Sequence, residues 1–186
     1  MPSIAVFFQN FLKHPREMGA LFATGGFYST LACKQVDWKK VKYIAELGAG
    51  DGAVTKYIVD NLNDNQKLLE FEKNDDLFPM LQQRFAKYKN VVLIHDSAEL
   101  LVHYAQQNGI DQFDAIFSEV PLVSLPKQIG ENIVQAILKT LKPSGLYLQI
   151  QYSVFSLNKL KKLFGKVKLK FTPFNLPPAF LYICSK

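Results

Sequence analysis

The chain has 186 residues, 48% apolar and 20% charged, which suits one globular domain with a single sizeable core and excludes a disordered protein. No apolar run reaches the roughly 18–20 residues that cross a bilayer, and the start lacks the pattern of a secretion signal, so the expected location is the cytoplasm. The formal charge of +6 favours an anionic partner, either nucleic acid or an anionic membrane surface; Cys33 and Cys184 have no Cys or His at ligand spacing, so neither a metal nor a disulfide is expected.

In chain order, Ile4, Phe7, Phe8, Phe11 and Leu12 recur at helical spacing, and Pro15 ends or bends the pattern. With Lys13, His14 and Arg16 behind it, this stripe fits a helix lying in a membrane interface, or one packed on a sheet or over a ligand. The small residues of 19–26 read as a loop closing over something, followed by a short helix near 29–34. An alternation then begins. Strands are expected over 41–47, 67–71, 91–95, 113–117 and 146–152, with helices over 53–61, 75–88, 98–108 and 129–141 between them. Pro79 falls in the first turn of its helix, where a missing N–H does no harm, and Pro143 and Gly145 stop the last helix.

The tail differs, with a helix over 157–164 and strands over 167–172 and 179–184. The turn holding Pro173, Pro177 and Pro178 is too short for a parallel crossover, so these strands should form an antiparallel hairpin. The expected fold is α/β, a seven-stranded mostly parallel sheet with a C-terminal antiparallel hairpin and helices on both faces. That is the Rossmann-like architecture of the class I methyltransferases. One domain should span 1–186, with 1–36 as an N-terminal helical cap.

The loop Glu46-Leu47-Gly48-Ala49-Gly50-Asp51-Gly52 follows the first strand and opens a helix. Such a loop turns tightly, lets backbone approach a ligand, and offers free N–H donors at the helix start. Ala53 stands where a dinucleotide signature has its third glycine, and the looser form of that signature still fits. Acidic Glu46 at the strand end leans toward S-adenosylmethionine, whose amino-acid part must be held there. Glu72, 24 residues after Gly48, closes the second strand, where a carboxylate can accept both ribose hydroxyls. Glu70 has the same chemistry but should face elsewhere. Asp96 and Ser97 follow the third strand, suited to reading an adenine edge or to capping the next helix. Ser118-Glu119-Val120-Pro121-Leu122 follows the fourth strand, where a hydroxyl and a carbonyl before a rigid proline can aim an acceptor nucleophile. The six lysines from Lys159 to Lys170 are read as an anion-attracting patch or a solvated face.

The runs FLKHPREMGA, ELGAGDGAVT, FEKN, SEVPLVSLP, LKPSGLYLQIQYS and NLPPAF span nearly the whole chain. Together they resemble the bacterial phospholipid N-methyltransferase family, a branch related to the rRNA adenine dimethyltransferases. The resemblance implies an adenosylmethionine-dependent enzyme that methylates the amine of phosphatidylethanolamine or a related amine, peripheral at the inner face of the membrane. It implies cofactor positions at Glu46, Gly48, Gly50, Glu72 and Asp96 and an acceptor side of Ser118, Pro121 and Tyr152; the neighbouring Ala49, Lys73, Ser97 and Ser118 are further expected cofactor contacts, and Glu119, where the family usually has a small residue, is an expected proton acceptor. Two other readings stand beside it. An rRNA adenine methyltransferase usually has an aromatic after the proline to stack the flipped base, where this chain has Leu122. The other is a non-catalytic cofactor-binding or scaffold protein on this fold, against which the intact loop and acids speak.

Overall fold

The computed structural model describes residues 26–173 and 178–186. The N-terminal stripe, most of the small-residue loop before Gly26, and Asn175 to Pro177 of NLPPAF lie outside the described residues. Six α-helices are described: α1 Gly26–Cys33, α2 Ala53–Val59, α3 Phe78–Phe85, α4 Leu101–Gln107, α5 Lys127–Thr140 and α6 Leu157–Leu163. The strands are β1 Tyr43–Leu47, β2 Lys67–Phe71, β3 Val91–Ile94, β4 Phe113–Ser118, β5 Leu141–Gln151, β6 Lys166–Thr172 and β7 Ala179–Ser185.

The seven strands form one sheet in the order β3-β2-β1-β4-β5-β7-β6. The first five run parallel, and β7 lies antiparallel to both β5 and β6. This is the expected class I methyltransferase sheet, hairpin included. The near-continuous apolar runs of β1, β2 and β4 follow from burial on both faces. One face packs Ile44, Leu68, Ala115 and Leu148 under α1, α2 and α3; the other packs Leu47, Phe71, Ile116 and Tyr147 under α4, α5 and α6. Fully burying each such Ile, Leu or Phe contributes about 1.5–3 kcal/mol.

Two boundaries differ from the sequence expectation. α3 starts at Phe78, because the Asn74 side chain accepts the N–H groups of Asp76 and Leu77 and holds 74–77 in a turn; Pro79 still falls in the first helical turn. Pro143 and Gly145 do not separate α5 from its strand. β5 begins at Leu141, pairs with Phe113, bulges, and pairs again from Leu146 with Ala115, so both breakers sit in the bulged stretch.

Register fixes the site. Leu47 lies beside Phe71 and Ser118, and Ser118 beside Gln149. The loops after these strands therefore converge on one edge, where ligands bind open α/β sheets.

Candidate active site

Gly48, Gly50 and Gly52 have φ of 74°, 61° and 81°, a left-handed path that returns the chain from β1 into α2. The Gly48 and Ala49 N–H groups donate to the Phe71 carbonyl at 2.8 and 3.0 Å, tying the loop to the end of β2. Glu72 completes the tie. Its Oε2 accepts the Gly50 N–H at 2.7 Å and its Oε1 accepts the Asn74 N–H at 2.7 Å. Each oxygen keeps a second lone pair, so the ribose role expected of Glu72 is compatible with this anchoring. A Cβ at Gly48 would stand 3.1 Å from Val120 Cγ2, whereas one at Gly50 would meet nothing within 4 Å. The loop thus packs against the segment after β4 and leaves open space over Gly50.

Carboxylates gather here, in a chain of net positive charge. Glu46 is fully buried and burial raises its pKa well above the ordinary carboxylate range, with Glu70, Glu119 and Glu72 adding like-charge repulsion. Burial pushes Glu70 up to about 8, and repulsion from Glu72 adds to the rise. Glu70 does not face elsewhere. Alternation along a strand returns to the same face every second residue, so Glu70 and Glu72 share a side, and Glu70 is the register partner of Glu46. Burial also raises Glu72, opposed by the backbone N–H groups it accepts. Glu119 is pushed up to about 8 by burial and then by Asp51 and Glu72, and its Oε1 is shut from solvent without a hydrogen-bond partner among the described residues.

The residues expected on the acceptor side lie at and just beyond the ends of β4 and β5. Ser118 is fully buried, and its hydroxyl has no partner among the described residues. Gln149 Nε2 donates to the Val120 carbonyl at 3.0 Å, and the Tyr147 hydroxyl donates to Gln149 Oε1. These bonds hold the approach to Pro121, and the Ser124 N–H donates to the Pro121 carbonyl at 2.8 Å, closing a turn. Tyr152 packs at the margin of the face under α1. Burial raises the Tyr28 phenol of α1, and Glu119, Tyr152 and Tyr147 raise it further, which places Tyr28 near those three residues.

The third loop is occupied by its own capping. Ser97 Oγ accepts the Glu99 N–H at 3.3 Å at the start of a short 3-10 turn. Asp96 accepts the Ser97 N–H at 2.7 Å and the Tyr104 hydroxyl at 3.0 Å. Next to it, His95 stacks on Phe78 at 4.4 Å and pairs with Asp75 at 3.1 Å. Lys73 is exposed at the rim. Cys33 and Cys184 are buried and free, and no group of metal-binding side chains occurs among the described residues.

Sequence reasoning missed Tyr28, Thr55 and Gln149, and noted Glu70 but expected it to face elsewhere. Gln149 had a signal, the first position of the QIQY run on a strand ending at the site. Tyr28 and Thr55 had none, since their places depend on how α1 and α2 pack.

The arrangement suits a cationic ligand. Carboxyl oxygens at Glu46 and Glu119 that have no partner among the described residues flank a glycine loop with open space above it, and a buried hydroxyl stands at Ser118. Adenosylmethionine carries a sulfonium and an ammonium charge, so its chemistry fits this donor set.

A model of the family described as ribosomal RNA adenine dimethylase matches residues 7–168. An ornithine lipid N-methyltransferase from Singulisphaera acidiphila is 29% identical over 185 residues, covering 99% of this chain and 96% of that protein. A ribosomal RNA small subunit methyltransferase A from Thermotoga neapolitana is 22% identical over 87% of this chain, and the match spans 64% of that longer protein. Among solved structures, Aeropyrum pernix fibrillarin with natively bound S-adenosyl-L-methionine superposes with a TM-score of 0.59 at 18% identity, covering 76% of this chain and 66% of that one.

Proposed function

The chain belongs to the ribosomal RNA adenine dimethylase family and is an adenosylmethionine-dependent methyltransferase, and from that premise we propose that it N-methylates the amine of a lipid headgroup. The observation that carries this reading is the end-to-end match with an ornithine lipid N-methyltransferase, which leaves only about 4% of that protein unmatched. Ornithine lipid and phosphatidylethanolamine both present an amine on an anionic or zwitterionic headgroup. Leu122 after Pro121 offers no ring to stack a flipped base, which favours an amine over adenine.

The surface supports the same reading. β6 runs in the direction of β5, so Phe171 and Phe180 reach the same sheet edge as Gln151. Val154, Phe155 and Phe171 are exposed there, Phe155 by 85%, with exposed Lys170 next to Phe171 in the chain and the lysines of α6 following Phe155. Apolar side chains flanked by cations suit the boundary of an anionic bilayer. No helix among the described residues is long and apolar enough to cross a membrane.

In this reading the glycine loop, Glu46, Glu72 and the Asp96–Ser97 corner hold adenosylmethionine, which supplies an electrophilic methyl group. Ser118 and the segment held by Gln149 orient the amine. A protonated amine has no lone pair, so the buried surroundings favour its neutral form. The proton released on methylation passes to Glu119 or to water, and a carboxyl near 8 is matched to that task. The reading is tested by incubating the protein with methyl-labelled adenosylmethionine and separate lipid and RNA pools. Label is expected in the amine-bearing lipid. Label in RNA and never in lipid would overturn the assignment in favour of an adenine substrate.

A further inference from the structure

Glu46 and Glu70 are side by side on β1 and β2, and the face they share is otherwise apolar, with Ile44 and Leu68 two residues before them. Glu46 is 0% and Glu70 1% exposed. Adjacent strands lie about 4.8 Å apart, so two carboxyls in register are near neighbours. None of their four oxygens has a hydrogen-bond partner among the described residues, and neither has the fully buried Thr55 hydroxyl. Thr55, from α2, is close enough to both carboxyls to favour their ionised forms without reaching hydrogen-bond geometry.

The groups facing the pair are mostly acidic. Glu72 stands at the end of β2 and Glu119 at the end of β4, and the Cys33 thiol of α1 lies in the field of Glu46. The cation acting on Glu70 is Arg84 of α3, whose guanidinium also donates to the Asp51 carbonyl. Two buried carboxylates this close cannot both ionise, whereas a carboxyl and a carboxylate sharing one hydrogen make a strong bond.

We propose that Glu70 is a positioning residue of the cofactor site: with the cofactor bound it keeps its own hydrogen and donates it to Glu46, leaving a single negative charge on Glu46, aimed at the ammonium group of adenosylmethionine. The proposal rests on the reading that Glu46 meets the cofactor. The motif acid Glu46 then needs a neutral donor beside it, because the Thr55 hydroxyl near it faces Glu70 as well and completes a hydrogen bond with neither. No covalent step is involved. Both carboxyls hold their hydrogens before the cation binds; on binding Glu46 releases its hydrogen ion to solvent and Glu70 retains its own.

The test uses S-adenosylhomocysteine, which keeps the ammonium group, with the full-length protein. Infrared difference spectra of wild type against Glu70→Gln are expected to contain the carbonyl stretch of one protonated carboxyl at neutral pH, and that band should persist when the ligand saturates. Calorimetry should find Glu70→Gln, a permanent donor, within about threefold of wild-type affinity. Glu70→Leu, with no donor, should bind at least about tenfold more weakly, the loss expected for a hydrogen bond to a charged group.

A missing band, a band that vanishes on binding, or wild-type affinity in Glu70→Leu would overturn the proposal. If Glu70→Leu fails to fold, the infrared comparison with the isosteric Glu70→Gln still decides. Glu46→Gln separates the underlying reading: wild-type binding by that variant would overturn the assignment of Glu46 to the cofactor, whatever Glu70 does.

Discussion

Glu72 holds Gly50 in place: a 2.7 Å hydrogen bond from the Gly50 N–H to Glu72 Oε2 joins the glycine loop to the strand beside it. The bond crosses from the loop after β1 to the end of β2, so the loop's shape depends on a side chain 22 residues away. Glu72→Ala would leave the N–H groups of Gly50 and Asn74 without this acceptor and free the loop. Affinity for adenosylhomocysteine is expected to fall by at least about tenfold, with a stability loss of about 1–3 kcal/mol. Calorimetry and chemical denaturation measure the two. Glu72→Gln, which keeps one acceptor oxygen, should fall between.

Gly52 and Gly50 make a matched pair of tests. Both have positive φ, but a Cβ at Gly52 would stand 2.3 Å from Phe85 Cε2 and 3.0 Å from Leu81, whereas one at Gly50 has open space. Gly50→Ala should cost only the left-handed backbone penalty, about 1–2 kcal/mol. Gly52→Ala adds overpacking between α2 and α3, worth a further 1–3 kcal/mol or so. Denaturation midpoints should rank wild type, Gly50→Ala, then Gly52→Ala.

The buried acids make ligand-free stability depend on pH. Burial lifts Glu46, Glu70, Glu72 and Glu119 above the roughly 4.3 of an unfolded glutamate. Above that value the unfolded chain releases protons that the folded chain still holds. The contribution of these groups is therefore fully present below about pH 4.3 and is lost as pH rises toward about 8. Asp114, held low by Lys142 and two backbone N–H groups, acts in the opposite sense and only in more acid solution. Thermal melts of the ligand-free protein should fall from about pH 5.5 to about pH 8.5. Glu119→Gln should raise the melting temperature at the alkaline end and leave the acid end unchanged.

The same substitution tests the proton acceptor. A base must be ionised to act, so single-turnover rates in wild type should rise with pH toward about 8. Glu119→Gln should lose that rise. An unchanged pH profile would assign the proton to water.

Phe155 is the most direct test of the bilayer reading. It is 85% exposed, so Phe155→Ser should leave the melting temperature nearly unchanged. Sedimentation with vesicles containing anionic lipid should drop several-fold, while turnover of a short-chain soluble amine lipid should hold.

Much of this architecture was legible in sequence because periodicity and turn chemistry are local. The βα alternation, the capping loop at Ser97 and the closing hairpin all came from residues near one another in the chain. β5 was misjudged at its start, since Pro143 and Gly145 carry the same local signal in a bulge as in a loop. The carboxyls after β1 and β2 were recognisable one strand at a time. That Glu46 and Glu70 are neighbours is a property of register between strands 24 residues apart, which no single window contains. Tyr28 comes near Glu119 and Tyr152 for the same kind of reason, through the packing of α1.

The strand order also gathers cations at one edge of the sheet. Lys166, Lys168 and Lys170 are exposed on β6, the last strand of the sheet, with Lys159, Lys161 and Lys162 on the helix before it. These lysines form a band of cations away from the centre of the sheet. Near an anionic surface that off-centre band is attracted and exerts a torque, which turns β6 forward before any side chain touches. The torque fades beyond a Debye length, about 8 Å at physiological ionic strength. Added salt should accordingly slow the encounter with the surface and leave the rate of methylation after docking unaltered.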